Sequence, residues 1–481
     1  VRHLICGVSV TLSLPTETKE TKVKRAEAPG DVHRRRGDRH ASVLYLGESP
    51  RKAKSPSAWV LDTLAGSDDV SILDRATDPK AVACEAVVLV LVGLPARGKS
   101  YLSNTVLRHL RLLGVRVRSF NAGELRRETG KAGASADFFS ESNTAAKDER
   151  DRLAMMCCAD LLEWLRAAPA GTSSVGILDA TNTTMSRRKK VLACCLEAAA
   201  GHELAPLRVI FLESICHDPV LLQGNYRMKL HNDDYKGSQD ADAALTDFQK
   251  RVVAYEKQYQ PLEDSELDPS PEDPNKRVPM PVGYVRIIDG GEKIVCCRTG
   301  KSVVAAPIIE MLHAMHLTPR RILLAPEVAP SEATRQGKRL ADLLLRVERE
   351  EGHGVDIICS ASHSGAQIAT VLERELPPLT SPQQPRAILT LHALQMRNVD
   401  ADRCKSEVYA DLVRRMRSEV ILLIERLPRS VLVVCPAADT RRVLLAHFCG
   451  CQEDSIADMP LPAGIVELRR DHKGFSATEI S

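Results

Sequence analysis

The sequence lacks the features of several specialised classes of protein. None of its 14 cysteines stands in a C-x-x-C spacing, which argues against a zinc site or a thiol redox motif. Several cysteines form adjacent pairs within apolar segments, so we predict reduced packing residues of a cytoplasmic protein. No apolar run approaches the roughly 20 residues that cross a bilayer. Lysine and arginine (66) nearly balance aspartate and glutamate (63), which leaves no electrostatic case for a nucleic acid partner.

Three regions differ in composition along the 481 residues. Residues 1–80 are rich in charge, Pro and Ser, which predicts a mobile extension. Ser49 and Ser55 are each followed by Pro, so this extension is either a regulatory arm with phosphorylation sites or a plain solvated segment. Residues 81–319 and 320–481 both alternate apolar strand-like runs with helical stretches, which is typical of two α/β domains.

The apolar runs predict the strands of two sheets. In the first domain they are "AVVLVLVG", "VRVRSF", "SSVGILDA" and "PLRVIFLES", followed by a hairpin around Gly290 and Gly291. Between the last of these runs and the hairpin, residues 263–283 are rich in Pro and acidic side chains, which predicts irregular structure. In the second domain the runs are "RILLA", "VDIICSA", "RAILTLHAL" and "SVLVVCPA".

A phosphate-binding loop is the clearest motif. The stretch "GLPARGKS", from Gly93 to Ser100, lies between a buried strand and a helical segment, which is the context that the motif requires. Its glycines let backbone N–H groups converge on phosphate oxygens. Lys99 would neutralise the β- and γ-phosphates of ATP, and the Ser100 hydroxyl would bind Mg²⁺.

A carboxylate follows two strands later. Asp179 in "GILDATNTT" ends an apolar strand, which is where sheets of this type place functional groups. It could hold Mg²⁺ or accept the proton of an attacking hydroxyl. Basic residues recur just after the predicted strands, which suggests an acceptor that carries phosphate, because guanidinium groups bind phosphate through two donors. These residues are Arg126, Arg127, Arg150, Arg187, Arg188, Lys229 and Arg251.

The motifs together resemble a known family over roughly residues 81–320. "VGLPARGKSYLS", "FNAGELRR", "DATNTT", "FLESICHDP" and "VVAYEKQY" are similar, in that order, to 6-phosphofructo-2-kinase/fructose-2,6-bisphosphatase. The resemblance implies a P-loop kinase domain with a mainly parallel sheet that phosphorylates the 2-hydroxyl of fructose 6-phosphate, and a second domain of histidine-phosphatase (phosphoglycerate mutase-like) type.

The resemblance also implies roles for individual residues. The nucleotide contacts would be Gly93, Leu94, Pro95, Ala96, Arg97, Gly98, Lys99, Ser100, Tyr101 and Asn225. The catalytic group would be Lys99, Asp179 and Cys216, with Ser100 and Asp179 on the metal. The sugar-phosphate contacts would be Arg126, Arg150, Thr181, Arg187, Lys229, Arg251 and Tyr255.

Three positions depart from simple expectation within the first domain. Phosphoryl transfer gives a thiol no evident task, so Cys216 is alternatively a wall of the nucleotide pocket. The segment "QGNYRMKL" is one residue shorter than in the family, which affects the nucleotide-side role of Asn225 more than that of Lys229. The adjoining "HNDDYKGSQDAD" is unusually polar, which predicts a different rim for the acceptor pocket.

The second domain lacks the residues that phosphatase chemistry needs. Pro326 and Glu327 stand where the family has the Arg and His of its Arg-His-Gly-Glu signature, and a carboxylate there cannot act as the nitrogen nucleophile. Ser364 replaces an arginine, Pro436 a second histidine, and Met396 the acidic proton donor. His363 lies near this motif without arginine partners. We therefore predict an inactive domain with a structural, regulatory or homodimer-forming role.

Two other functions stay open at this point. The first is a P-loop kinase that acts on another sugar phosphate or an uncharged acceptor. The second is a scaffold or sensor that binds nucleotide or sugar phosphate without turnover, although Lys99, Ser100 and Asp179 together argue against it. In each case the partner is a small molecule, with fructose 6-phosphate as the leading candidate.

Overall fold

The computed structural model describes residues 8–10, 42–44 and 84–480, without 132–135, 141, 201–205, 231–233, 236–239, 268–279, 301, 316–319, 380–385, 396–397, 401–404, 407–408, 436, 453–454 and 471–473. Two strands, β1 (Val8–Val10) and β2 (Ser42–Leu44), lie in the predicted extension. The rest of 1–80, with Ser49 and Ser55, lies outside the described residues, as do Met396 and Pro436. Within the described ranges, no helix is long and apolar enough to cross a membrane.

In the described part of the chain, seven strands form the first sheet, in the order β2-β8-β7-β6-β3-β5-β4. The strands β3 to β7 run parallel, whereas β8 is antiparallel to both β7 and β2, so the predicted mainly parallel sheet and the hairpin are confirmed. The strand bounds are β3 (Ala86–Val92), β4 (Arg116–Asn121), β5 (Ser174–Asp179), β6 (Leu207–Ile215), β7 (Val282–Ile288) and β8 (Lys293–Cys297).

Helices cover both faces of this sheet, which explains why its central strands are apolar at almost every position. Val88 and Val90 point into one core and Val87 and Leu89 into the other, as the alternation of a strand requires. The helices are α1 (Lys99–Leu112), α2 (Ala122–Arg126), α3 (Thr144–Arg166), α4 (Met185–Ala200), α5 (Pro219–Lys229), α6 (Ala241–Glu256) and α7 (Ala305–Ala314).

One part of the segment predicted to be irregular is ordered by an ion pair. Asp264–Leu267 forms a 3-10 turn in which Glu266 is buried. Both Glu266 carboxylate oxygens accept hydrogen bonds from Arg188, at 2.7 Å each. The prediction of irregular structure was wrong for these four residues, because composition alone does not reveal a buried partner on a distant helix.

The second sheet has the order β1-β11-β10-β14-β9-β15-β16. Strands β9, β10, β11 and β14 are parallel, as expected for an α/β domain, whereas β15 and β16 add an antiparallel hairpin that the sequence reading missed. The strands are β9 (Arg321–Pro326), β10 (Asp356–Ser360), β11 (Ile388–Leu391), β14 (Val431–Cys435), β15 (Ile465–Arg470) and β16 (Phe475–Ile480), with β12 (Asn398–Asp400) and β13 (Lys405–Ser406) as a separate pair.

The helices of this second unit pack around its parallel strands. They are α8 (Ala333–Glu351), α9 (His363–Glu375), α10 (Tyr409–Met416), α11 (Leu422–Arg426) and α12 (Ala438–Cys449). Helix α9 begins with the Ser362 hydroxyl accepting a hydrogen bond from the Gly365 N–H at 3.0 Å, which caps its first turn.

A buried ionic group joins the two units, and we refer to Arg108, Arg320, Glu425 and His447 as the Glu425 cluster. Arg108 on α1 donates to Glu425 Oε1 at 2.7 Å, and Arg320 lies 3.2 Å from Oε2. His447 Nε2 lies 3.1 Å from Oε1. The Glu425 side chain has no exposed surface, so this carboxylate depends on these partners for its charge.

Candidate active site

A cavity of about 890 Å³ opens at the carboxyl ends of β3, β4 and β5. This position is where parallel sheets bind ligands, since the loops that follow the strands converge there. Most of the residues that the sequence pointed to line it: Pro95, Ala96, Gly98, Lys99, Ser100, Tyr101, Arg126, Arg150, Asp179, Thr181, Arg187, Asn225, Lys229, Arg251 and Tyr255.

The loop between β3 and α1 has the backbone that its glycines predict. Gly93 has φ 138°, and a Cβ atom there would lie 2.5 Å from the Ser214 carbonyl oxygen, so only glycine fits. Gly98 has φ 88° and precedes the first residue of α1. The Asn225 amide donates to the Ala96 carbonyl at 3.0 Å, which ties α5 to the loop.

The centre of the cavity holds a buried lysine and a buried carboxylate. Burial lowers the pKa of Lys99 to about 7, although the charge of Asp179 opposes this shift. Burial likewise raises the pKa of Asp179, and Lys99 opposes it. Lys99 Nζ donates to the Leu94 carbonyl at 2.5 Å, and Ser100 lines the same cavity as Asp179. The site is therefore built to receive an anion that would keep the lysine charged.

Asn121, at the end of β4, fixes the orientation of Asp179. Its side-chain Nδ2 donates to Asp179 Oδ2 at 2.7 Å. Its Oδ1 accepts from the N–H groups of Gly123 and Glu124, at 2.9 and 3.0 Å, and so caps α2. One amide thus connects the carboxylate to the helix that carries Arg126.

One side of the cavity is strongly basic and rests on an aromatic ring. The Arg251 guanidinium carbon lies 3.8 Å from the centre of the Phe139 ring, and Arg126 and Arg150 lie 5.6 and 5.9 Å from it. Lys229 ends α5 nearby, and burial lowers its pKa. Such a concentration of guanidinium groups suits a phosphate dianion.

Arg187 and Arg188 have different surroundings, although the sequence offers no reason to assign them different roles. Arg187 lines the cavity and is bonded to Asp151, with its Nε 2.6 Å from Oδ1. Arg188, by contrast, is fully buried against Glu266 and donates to the Gln260 carbonyl at 2.9 Å. Arg188 is thus a structural residue and takes no part in the basic side of the cavity.

Besides Arg188, four predicted residues do not line the cavity. Gly93 and Leu94 shape the loop through their backbones. Arg97 is directed to Glu256, at 3.2 Å, and to the Tyr226 hydroxyl, at 3.3 Å. Cys216 is buried outside the cavity lining, and burial raises the pKa of its thiol.

Comparison with known proteins assigns the family. A family model of 6-phosphofructo-2-kinase matches residues 75–273. The 6-phosphofructo-2-kinase/fructose-2,6-bisphosphatase of Caenorhabditis elegans is 30% identical over 370 residues, which cover 73% of this chain and 72% of that protein. The chain belongs to the 6-phosphofructo-2-kinase/fructose-2,6-bisphosphatase family. Membership implies a kinase that uses ATP.

Two further members of the family place this chain among its relatives. The human 6-phosphofructo-2-kinase/fructose-2,6-bisphosphatase 3 is 29% identical over 433 residues, 81% of this chain and 74% of that protein. The Saccharomyces cerevisiae 6-phosphofructo-2-kinase 1 is 36% identical over 240 residues, 49% of this chain and 26% of that protein. Identity is thus higher over the shorter match.

In this family member, a glutamate lies at the end of β9, at the carboxyl edge of the second sheet. Glu327 Oε1 accepts hydrogen bonds from the hydroxyls of Ser362 and Ser364 and from the Gly365 N–H, the last at 3.2 Å. These donors surround the N-terminus of α9, a place that commonly binds anions. His363 begins the same helix but is exposed and lies 3.1 Å from the Gln367 amide.

Asn121, Asp234 and Arg470 are among the residues of the cavity that sequence reasoning missed. Asn121 could have been found by the strand-end rule that selected Asp179. Asp234 lies within the polar segment whose effect on the rim was expected, but no pattern singles it out. Arg470 comes from β15 of the second sheet, and its Cζ lies 3.7 Å from the centre of the Tyr101 ring. Only tertiary structure could reveal that a residue of the second sheet reaches this cavity.

Replacing Arg470 with alanine is expected to raise KM for ATP. Arg470 adds a positive charge to the cavity beside Tyr101, the residue that follows the phosphate loop, and one charge-assisted contact with a phosphate contributes about 1.5–3 kcal/mol, equivalent to about 10- to 150-fold in KM. Steady-state kinetics should show this change with KM for the acceptor unaltered. The matched control is Arg469→Ala, because Arg469 is 57% exposed and pairs with Glu467 at the surface. Equal kinetics of both variants would contradict the expectation.

Proposed function

We propose that this chain transfers the terminal phosphate of ATP to the 2-hydroxyl of fructose 6-phosphate and forms fructose 2,6-bisphosphate. The observation that supports the proposal is the single cavity that contains the phosphate loop, Asp179 and the basic side formed by Arg126, Arg150 and Arg251. A P-loop alone suits any nucleoside triphosphatase, whereas the basic side suits an acceptor that already carries phosphate.

The residues divide the work of phosphoryl transfer between positioning and charge. Lys99 would neutralise the charge that develops on the transferred phosphate, and the N–H groups of the loop would bind the other phosphates of ATP. Asp179 lines the cavity with the phosphate loop and the arginines and would accept the proton of the attacking hydroxyl, for which its raised pKa is favourable. The arginines and Lys229 would fix the sugar phosphate so that this hydroxyl faces the donor.

The side chains of Ser100 and Asp179 fit a Mg²⁺ ion. Both present oxygen atoms, the donor type that Mg²⁺ prefers, and both line the cavity beside the phosphate loop. When bound there with the nucleotide, Mg²⁺ would supply charge neutralisation for the phosphates. Asn121 would keep the Asp179 carboxylate turned toward this position.

The direct test is a kinase assay of the full chain with a panel of acceptors. ATP consumption should depend on fructose 6-phosphate and yield an acid-labile sugar bisphosphate, whereas fructose, fructose 1-phosphate, glucose 6-phosphate and nucleosides should support little turnover. Faster turnover of any other acceptor would replace the proposed substrate. ATP binding without turnover of any acceptor would favour a sensor.

Substitution of the basic side should separate a charged acceptor from an uncharged one. Arg126→Ala and Arg251→Ala are each expected to raise KM for fructose 6-phosphate by about 10- to 100-fold, since each removes a charge-assisted hydrogen bond to phosphate. KM for ATP should stay the same. Arg152→Ala is the control, because Arg152 is 56% exposed on α3, where it pairs with Glu149 and contacts Met156, and it does not line the cavity. Unchanged acceptor KM in both cavity variants would indicate an acceptor without phosphate.

We also propose that the second domain has no fructose-2,6-bisphosphatase activity. Glu327 supports this, because a carboxylate bound to the donors of the α9 N-terminus competes with a phosphate dianion and supplies no nucleophilic nitrogen. Incubation of the full chain with fructose 2,6-bisphosphate should release no inorganic phosphate above the background measured without protein. Release that is lost in Glu327→Gln would contradict the proposal.

A further inference from the structure

An acidic residue lies inside the basic side of the cavity. Asp234 lines the cavity, and its side chain is only 5% exposed. Arg126 Nη2 donates to both of its carboxylate oxygens, at 2.7 and 2.6 Å. Arg251 Nη1 lies 3.4 Å from Oδ2, and Arg127 Nη1 lies 3.9 Å from it. One carboxylate therefore forms ion pairs with three arginines.

These contacts are the ones that a phosphate group would make. Carboxylate and phosphate both present oxygen pairs that match the fork of a guanidinium group, so a site that binds one also binds the other. Two of the three arginines, Arg126 and Arg251, were assigned to the acceptor phosphate on independent grounds. Asp234 thus occupies the donors that the acceptor needs.

The energetic reason for such an arrangement is the burial of the arginines. The Arg126 side chain is 4% exposed and that of Arg251 is 16% exposed, and buried charges require a counter-ion. Burial by itself would raise the pKa of Asp234, but Arg126 and then Arg251 outweigh it and hold the pKa below its usual range. The carboxylate is therefore ionised at neutral pH.

The neighbouring residue fixes this placement from α6. The Tyr235 hydroxyl donates to Asp247 Oδ2 at 3.0 Å, and Asp247 lies one helical turn before Arg251. The Tyr235 ring also contacts Phe248, with ring centres 6.1 Å apart. Helix α6 thus holds both Arg251 and the residue next to its counter-ion, so the position of Asp234 is part of the folded structure.

We propose that Asp234 acts as an internal surrogate for the acceptor phosphate and thereby makes the site select phosphorylated acceptors. A phosphate dianion must take the arginines from Asp234, because two anions cannot share them without repulsion. An uncharged sugar or nucleoside cannot displace the carboxylate and leaves the arginines occupied. Asp234 is therefore a specificity-determining residue: it lowers the affinity for phosphate, and it keeps the arginines from uncharged acceptors. This inference rests on the proposed phosphorylated acceptor.

The test is the binding of inorganic phosphate to the full chain, measured by isothermal titration calorimetry. Asp234→Asn keeps the shape and removes the charge, and it is expected to bind phosphate about 10- to 100-fold more tightly than the unaltered chain. Asp234→Glu keeps the competing charge and should show no gain. Asp242→Asn is the matched control, since Asp242 is an exposed acidic residue on α6. Unchanged or weaker phosphate binding by Asp234→Asn would overturn the proposal.

Two additions keep this test decisive. If Asp234→Asn folds poorly, Asp234→Ser is measured instead, and the rise in thermal unfolding midpoint on adding phosphate should exceed that of the unaltered chain. Inorganic phosphate is common to all phosphorylated acceptors, so the result does not depend on turnover of fructose 6-phosphate. Tighter phosphate binding without such turnover would support the role of Asp234 and reject the proposed substrate; turnover with no gain in binding would do the reverse.

Discussion

Replacing Lys99 with alanine is expected to lower the rate of ATP-dependent phosphorylation by at least about 10³-fold, because a preorganised charge at the transferred phosphate is among the largest contributions to such catalysis. Lys99 is buried, lies at the start of α1 and has its pKa lowered by that burial. An anionic nucleotide would restore its charge, so the free energy of that interaction is available at the site of reaction. Single-turnover kinetics at saturating ATP measure the effect on the chemical step.

The control for this substitution is Lys189→Ala. Lys189 lies on α4 and is exposed, so its loss removes the same chemical group without affecting the cavity. The rate of Lys189→Ala should equal that of the unaltered chain. A Lys99→Ala protein that folds, binds ATP and still phosphorylates the acceptor at more than about a tenth of the normal rate would show that the phosphate loop is not the catalytic site.

Replacing Glu425 with glutamine is expected to lower the free energy of unfolding by about 3–5 kcal/mol, which is the usual effect of breaking a buried ion pair by removing one partner. Arg108 and Arg320 have side chains only 3% exposed, so both would keep their charge without a counter-ion. Urea unfolding measures the loss. Glu373→Gln serves as the control, since Glu373 is exposed on α9.

The unaltered chain and Glu425→Gln should also differ in how their stability depends on pH. Burial would raise the pKa of Glu425, but Arg108, His447 and Arg320 outweigh burial and depress it strongly. A depressed carboxylate pKa contributes stability above the pKa of the unfolded chain, about 4.3 for glutamate, and that stability is lost as pH falls through the folded pKa. The difference in stability between the unaltered chain and Glu425→Gln should therefore shrink below about pH 4. A constant difference from pH 7 to pH 3 would contradict the assignment.

Local patterns explain which parts could be predicted from the sequence. The strands β3 to β7 and the loop from Gly93 to Ser100 follow from apolar runs and glycine positions, which depend on neighbouring residues alone. Asp179 followed from its place at a strand end. The α/β class and the family were predicted for the same reason, because the motifs that carry them are short and continuous.

The remaining features depend on contacts between distant residues. Arg187 and Arg188 are adjacent in the chain, yet one lines the cavity and the other is buried against Glu266, because successive helical positions differ by about 100° around the axis. Arg470 reaches the cavity only through the hairpin of β15 and β16, whose polar residues gave no strong strand signal. The three arginines that contact Asp234 lie 17 to 108 positions away from it in the chain, so only the folded structure brings them to it.

Helix α1 links the phosphate loop to the Glu425 cluster, and this link bears on the evolution of the chain. Its N-terminus carries Lys99 and Ser100, and Arg108, about 13 Å further along the same rigid rod, is bound to Glu425 of the second domain. A chain shortened to its first sheet would lose the carboxylate that pairs with Arg108 and would expose Leu112 of the same helix, which packs in the core of the second domain. Loss of the second domain by deletion would therefore expose apolar surface on the helix that begins at the phosphate loop, which provides a physical reason for selection to retain this domain.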